Sequence, residues 1–114
     1  MDECLFCKIV NNEIPCDIVF KNEHVLAFRD MNPQAPTHIL VIPRKHISTI
    51  NELETEDTLL VGEILLTAKN LVKVENIDQN GFRTVFNCNK DGGQTVFHIH
   101  LHLLGGRRFS WPPG

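Results

Sequence analysis

Apolar positions in the first third of the chain fall in short runs separated by polar turns. Ile18-Val19-Phe20 is followed by the polar tripeptide Lys21-Asn22-Glu23 and then by His24-Val25-Leu26-Ala27-Phe28. Two β-prone runs split by a polar turn predict a hairpin. Pro33 and Pro36 make residues 31–37 a loop, and His38-Ile39-Leu40-Val41-Ile42 predicts a third strand closed by Pro43. Over residues 55–75 the period lengthens to that of a helix. Leu60, Ile64, Ala68 and Leu71 form one stripe, with Val61, Leu65 and Val72 beside it. Thr55 is the expected N-cap, with Glu56 and Asp57 in the first turn. Leu59 and Leu66 widen the apolar surface, which leaves open whether the helix has a broad core contact or also buries a face against another subunit. Asn80-Gly81 marks a turn before a fourth strand at 82–87. A polar loop at 89–94 precedes a fifth strand at 97–104, which Gly105-Gly106 ends. The tail Trp111-Pro112-Pro113-Gly114 is unable to form a helix. The pattern predicts one α+β domain over residues 1–114, with an antiparallel sheet of about five strands and one long helix.

Composition narrows the class of protein. With 114 residues, 42% hydrophobic and 22% charged, the chain has the makeup of one globular domain. Net charge is −3, and the basic residues are scattered apart from the pairs Arg44-Lys45 and Arg107-Arg108. This argues against a nucleic-acid binder, which needs clustered cations. No apolar run approaches the length needed to span a bilayer. The acidic start lacks the pattern of a secretory signal, so a cytoplasmic location is expected. Thiols stay reduced there. The four cysteines therefore read as metal ligands or packing residues before disulfides: Cys4 and Cys7 form a C-x-x-C pair, while Cys16 and Cys88 have no near partner in sequence.

The chemistry concentrates in Gln94-Thr95-Val96-Phe97-His98-Ile99-His100-Leu101-His102-Leu103-Leu104. On a strand, alternate side chains share a face, so three imidazoles line up at about 6.6–6.8 Å per pair of residues, with Ile99, Leu101 and Leu103 on the core face. Two chemistries suit this array. Three neutral imidazoles can hold a catalytic zinc. Alternatively, His100 is a nucleophile and its neighbours handle protons and charge, since imidazole is largely neutral at pH 7. The Gly92-Gly93-Gln94 loop offers donors for phosphate oxygens.

These residues resemble the signature of the histidine-triad (HIT) superfamily, alternating histidines with apolar residues between. The resemblance spans nearly the whole chain: Phe6-Cys7-Lys8-Ile9, Glu13-Ile14-Pro15, Leu26-Ala27-Phe28-Arg29-Asp30, Pro33-Gln34-Ala35-Pro36-Thr37-His38, Val41-Ile42-Pro43, Asp91-Gly92-Gly93-Gln94, Leu104-Gly105-Gly106-Arg107 and Trp111-Pro112-Pro113-Gly114 are all similar to its Hint branch. It implies a HIT-like fold with a short N-terminal helix besides the long one. It further implies a homodimeric nucleoside phosphoramidase that acts at the α-phosphate of purine nucleotides through a covalent nucleotidyl-histidine. On that similarity His100 is the nucleophile and His102 the proton donor to the leaving group, with His38 and His98 completing the cluster. Asn87, Gly93, Gln94 and Thr95 would contact phosphate or leaving group, and Asp30 the ribose. Phe6, Ile9, Phe28 and Met31 would form the base pocket, and Trp111 would lie near the partner's site. Thr95 departs from the serine common at its place, keeping the hydroxyl but adding a methyl.

Cys4 and Cys7 need two further ligands to bind zinc; by similarity these are His46 and His98, and the zinc would be structural, with no cofactor required for catalysis. A histidine held by zinc is unavailable as acid or base. The alternative is that the two cysteines pack as small apolar residues. His24 reads as exposed on its hairpin, and Arg83 as a solvated strand residue more readily than a phosphate contact. Arg107 and Arg108 stay open between a partner contact and a leaving-group contact. Beside the two hydrolase readings stands a third, a nucleotide-binding scaffold with little turnover.

Overall fold

The computed structural model describes residues 3–114. Five strands form one antiparallel sheet in the order β1-β2-β3-β5-β4: β1 (Ile18–Lys21), β2 (Val25–Arg29), β3 (Thr37–Pro43), β4 (Phe82–Phe86) and β5 (Leu101–Gly105). The hairpin turn forms because the Asn22 side-chain oxygen accepts the backbone N–H groups of His24 and Val25, at 2.9 and 2.8 Å. At the sheet centre, β3 is buried along its full length, as its unbroken apolar run requires of a strand covered on both faces.

Two helices cover the two faces. α2 (Thr58–Val74) lays Ile64, Ala68, Leu71 and Val72 over Val25, Ala27, Ile39, Val41, Leu101 and Leu103. On the opposite face α1 (Leu5–Val10) sets Phe6 and Ile9 against Leu26, Phe28, Leu40 and Ile42. α1 is only six residues long and holds through this packing, since so short a helix is not stable alone. Among the described residues no helix is long and apolar enough to cross a membrane.

Three local expectations are corrected. A 3-10 turn at Thr55–Asp57 precedes α2, and its entry is fixed by Glu54, whose backbone N–H donates to Asp57 Oδ2 at 2.9 Å; Thr55 is not the cap. Within the expected loop at 89–94 the chain makes one helical turn, α3 (Asn89–Gly92), closed by Gly93 at φ +81°. The fifth strand starts at Leu101 and not at Phe97. Register puts Ile99 opposite Pro43, which has no N–H to donate, and the chain before Leu101 bonds to the stretch after β3 instead, with Ile99 N–H donating to Ile47 O at 2.7 Å. The alternation survives this loss of pairing: Ile99, Leu101 and Leu103 stay in the α2 core.

Candidate active site

Register places the histidines. His102 lies opposite Leu40 on β3, so it shares the α1 side of the sheet with Leu40 and Phe28. His38, two residues before Leu40, joins it there, and the His100 and His102 ring centroids are 4.9 Å apart. Phe6 of α1 abuts His100 edge-on at 5.0 Å and Phe28 at 5.5 Å. The rings therefore sit between an apolar floor and the solvent.

Hydrogen bonds decide which nitrogen of each ring carries the proton. His100 Nδ1 is 2.7 Å from the carbonyl oxygen of His98. A carbonyl only accepts, so Nδ1 is protonated and Nε2 keeps its lone pair. Gln34 N–H donates to His38 Nδ1 at 3.0 Å, which leaves the His38 proton on Nε2. That proton points at His102 Nδ1, 2.9 Å away. His102 Nδ1 is thereby an acceptor, and its own proton sits on Nε2. The cluster thus presents a bare Nε2 on His100 beside an Nε2–H on His102.

Burial keeps these rings neutral. It lowers the pKa of His100 and of His38, in each case against the opposing pull of Asp30. His102 falls to about 4, first through burial and then through the neighbouring His100 and His38. Asp30 Oδ2 lies 3.4 Å from His38 Nε2 while Oδ1 accepts Asn32 N–H at 2.8 Å. Asp30, His38 and His102 are close enough to suggest a metal triad, but the His38 Nε2 proton set by Gln34 makes that nitrogen a donor and not a ligand.

The His98 ring points elsewhere. Fully buried, its Nδ1 is 3.4 Å from Cys4 Sγ and 3.6 Å from Cys7 Sγ, and Cys7 Sγ is 3.3 Å from His46 Nδ1. A tetrahedral zinc with Zn–S of about 2.3 Å and Zn–N of about 2.0–2.1 Å holds such atoms about 3.5 Å apart. The His98 Nε2–H donates to Pro43 O at 2.7 Å, aiming the Nδ1 lone pair at the sulfurs, as an outer-shell partner does for a ligating histidine. Burial lowers His98 to about 4 and, with the Cys4 thiol beside it, pushes Cys7 up to about 11. Two thiols and two neutral imidazoles at this spacing fit zinc. The arrangement also argues against one metal on His98, His100 and His102, because the three rings do not converge: His98 faces the thiols, and His100 Nδ1 is spent on a carbonyl.

Of the other expected site residues, Phe6, Ile9 and Phe28 form the buried floor and Met31 stands exposed at 94%. Gly93 and Thr95 are exposed at the loop. The Gln94 side chain donates to Ser48 O and Val96 O at 2.8 and 3.1 Å and accepts Asn89 N–H at 2.9 Å. These three bonds hold the loop against the segment after β3. Asn87 lies against Gly92, whose added Cβ would be 3.7 Å from the Asn87 backbone. Arg83 is half-buried and tied to the C-terminal segment: it donates from Nη2 to Ser110 O at 2.9 Å and lies 5.2 Å from the Phe109 ring centroid. The link that sequence reasoning missed is Gln34, a loop residue whose backbone N–H sets a ring tautomer; no side-chain pattern reports it.

The sequence model of the family described as scavenger mRNA decapping enzyme C-term binding matches residues 3–109. An uncharacterised HIT-like protein of Synechococcus elongatus is 50% identical over 99% of this chain and 98% of its own. The purine nucleoside phosphoramidase of Escherichia coli is 47% identical, covering 93% of this chain and 89% of its own. The crystal structure of a HIT family hydrolase from Legionella pneumophila superposes with a TM-score of 0.97 at 56% identity, over 98% of this chain and all of that one. The chain belongs to the histidine-triad (HIT) family. Within it, the chain is a homologue of HIT hydrolases and of a purine nucleoside phosphoramidase.

Proposed function

We propose that the protein is a nucleotide hydrolase that releases a nucleoside monophosphate from purine nucleoside phosphoramidates or nucleotidyl anhydrides, with His100 as nucleophile. The 2.7 Å contact from His100 Nδ1 to the His98 carbonyl carries this reading, because it leaves Nε2 unprotonated. In the first step His100 Nε2 bonds to the α-phosphorus as the P–N bond breaks, and the leaving nitrogen takes the Nε2 proton of His102. His102, neutral before the step, is left as an imidazolate, and the positive charge on the nucleotidylated His100 ring, 4.9 Å away, offsets it. Water then attacks phosphorus, His102 recovers its proton from that water, and His100 is released. No metal enters these steps.

In this reading Asp30 binds the ribose, Phe6, Ile9, Phe28 and Met31 receive the base, and Gly93, Thr95 and Asn87 meet the phosphate. Zinc held by Cys4, Cys7, His46 and His98 would be structural, cross-linking α1 to the segment that carries His100. The functional unit is a homodimer. Supporting this are Leu59 and Leu66, left 85% and 60% exposed on α2, the position of β4 at the sheet edge, and an exposed Trp111 suited to reach a partner's site. Four free thiols suit the cytoplasm. Release of AMP from adenosine 5′-phosphoramidate tests the activity; binding of AMP without turnover would favour the scaffold reading instead.

A further inference from the structure

The loop between β2 and β3 is held by a second segment from the far end of the chain. Arg107, two residues after β5, donates from Nε to the carbonyl oxygen of Gln34 at 3.0 Å. The backbone N–H of the same Gln34 holds His38 Nδ1. One residue is thus gripped at both its polar groups, by the catalytic cluster on one side and by Arg107 on the other. Gly106 packs equally closely on this loop: a Cβ there would stand 2.8 Å from Pro36 Cβ, and its φ of +90° suits glycine. Arg107 is itself braced, with its guanidinium 4.2 Å from the Phe109 ring centroid and Nη1 donating to Arg108 O at 3.1 Å.

We propose that Arg107 is a positioning residue that, by holding the Gln34 carbonyl, fixes the backbone of Gln34 so that its N–H, on the preceding peptide, faces His38 Nδ1, and through His38 keeps the His102 proton on Nε2, toward the leaving group. The inference rests on the reading of His102 as leaving-group donor. Arg107 touches no reacting atom. If its grip is lost, the backbone of Gln34 can rotate about its Cα and carry the N–H away, His38 can carry its proton on Nδ1, and His102 then has no donor at its own Nδ1 to hold its proton on Nε2. The consequence is selective. An alkylamine departs only if protonated, whereas p-nitrophenolate departs without a proton, so disturbing the donor affects the first and spares the second.

The test compares Arg107→Ala and Arg107→Lys with wild type in the full chain. Nitrogen-15 spectra of the ring nitrogens report the tautomers, and turnover is measured on an AMP alkylphosphoramidate and on the p-nitrophenyl ester of AMP. Wild type is expected to show His38 protonated at Nε2 alone, and Arg107→Ala a mixture of both tautomers. In Arg107→Ala, kcat for the alkylphosphoramidate should fall about tenfold, with KM and p-nitrophenyl ester turnover within about twofold of wild type. Arg107→Lys, which retains a donor, should recover part of the loss. If Arg107→Ala fails to fold, Arg107→Met keeps an apolar stem against Phe109 without the donors, and the same readouts decide. Unchanged tautomers, or an equal fall on both substrates, would overturn the proposal. A wild type inactive on both substrates would instead end the hydrolase reading, and the ring-nitrogen spectra alone would then decide the positioning.

Discussion

His100 and His102 are the same residue type on the same face of one segment, yet they present opposite groups to a substrate. A carbonyl at Nδ1 leaves one with a bare Nε2; an N–H donor at Nδ1 leaves the other with an Nε2–H. Asp30 stands beside this pair with one oxygen turned to Asn32 N–H and the other toward His38. Its half-buried carboxylate suits the two hydroxyls of a ribose. Asp30→Ala is expected to raise KM for adenosine 5′-phosphoramidate about tenfold, the worth of a charge-assisted hydrogen bond, and to narrow the preference over the 2′-deoxy analogue. Equal discrimination in the variant would take Asp30 out of the ribose site. The histidines were legible in the sequence because a period of two, with Ile99, Leu101 and Leu103 between them, admits few other readings. Their proton positions were not. These depend on Gln34 and on the carbonyl of His98, and a backbone group leaves no mark on residue type.

Among the elements, α2 and the central strands were readable from their periods, since burial on one helical stripe or on both strand faces leaves an apolar pattern. The start of β5 was not, because pairing with β3 lapses where Ile99 would meet Pro43, which lacks an N–H, while the apolar alternation runs on through that break. The structural part of Gln94 was hidden for a related reason: a glutamine beside glycines suits a phosphate loop, and its bond to Ser48, 46 residues away in sequence, leaves no local pattern. The far end of α2 is tied to the sheet by Glu75, which receives both terminal nitrogens of Arg29 at 2.9 Å. These bonds hold the Glu75 carboxyl below its usual range, against the effect of its burial. A depressed acid pKa contributes stability that is present above the unfolded-state value, about 4.3, and is lost as pH falls through the folded value. Glu75→Gln should therefore cost up to about 1 kcal/mol at pH 7, Arg29 being partly screened by solvent. The gap from wild type should close as pH drops below about 4. Thermal melts across that range check this, and a gap that widened in acid would contradict it.

For the molecule as a whole, one sheet separates a mechanical side from a chemical one. α2 covers the first and leaves Leu59 and Leu66 facing out, while α1 covers the second and closes on the thiol–imidazole cluster. The α+β fold was legible because its strands and long helix have distinct periods. The clustering of Cys4, Cys7, His46 and His98 reached the sequence reading only through family resemblance, since these ligands lie up to 94 residues apart. A native mass spectrum should show a dimer with one zinc per subunit, and a metal-free monomer would remove both assignments.

The central claim is that His100 Nε2 attacks the α-phosphate. Its most direct test is AMP release from adenosine 5′-phosphoramidate by wild type and by His100→Asn, with AMP affinity measured for both. The account predicts turnover by wild type, a loss of at least about a thousandfold in the variant, and similar AMP binding by the two. Turnover retained by His100→Asn would contradict it and assign the chemistry to another group.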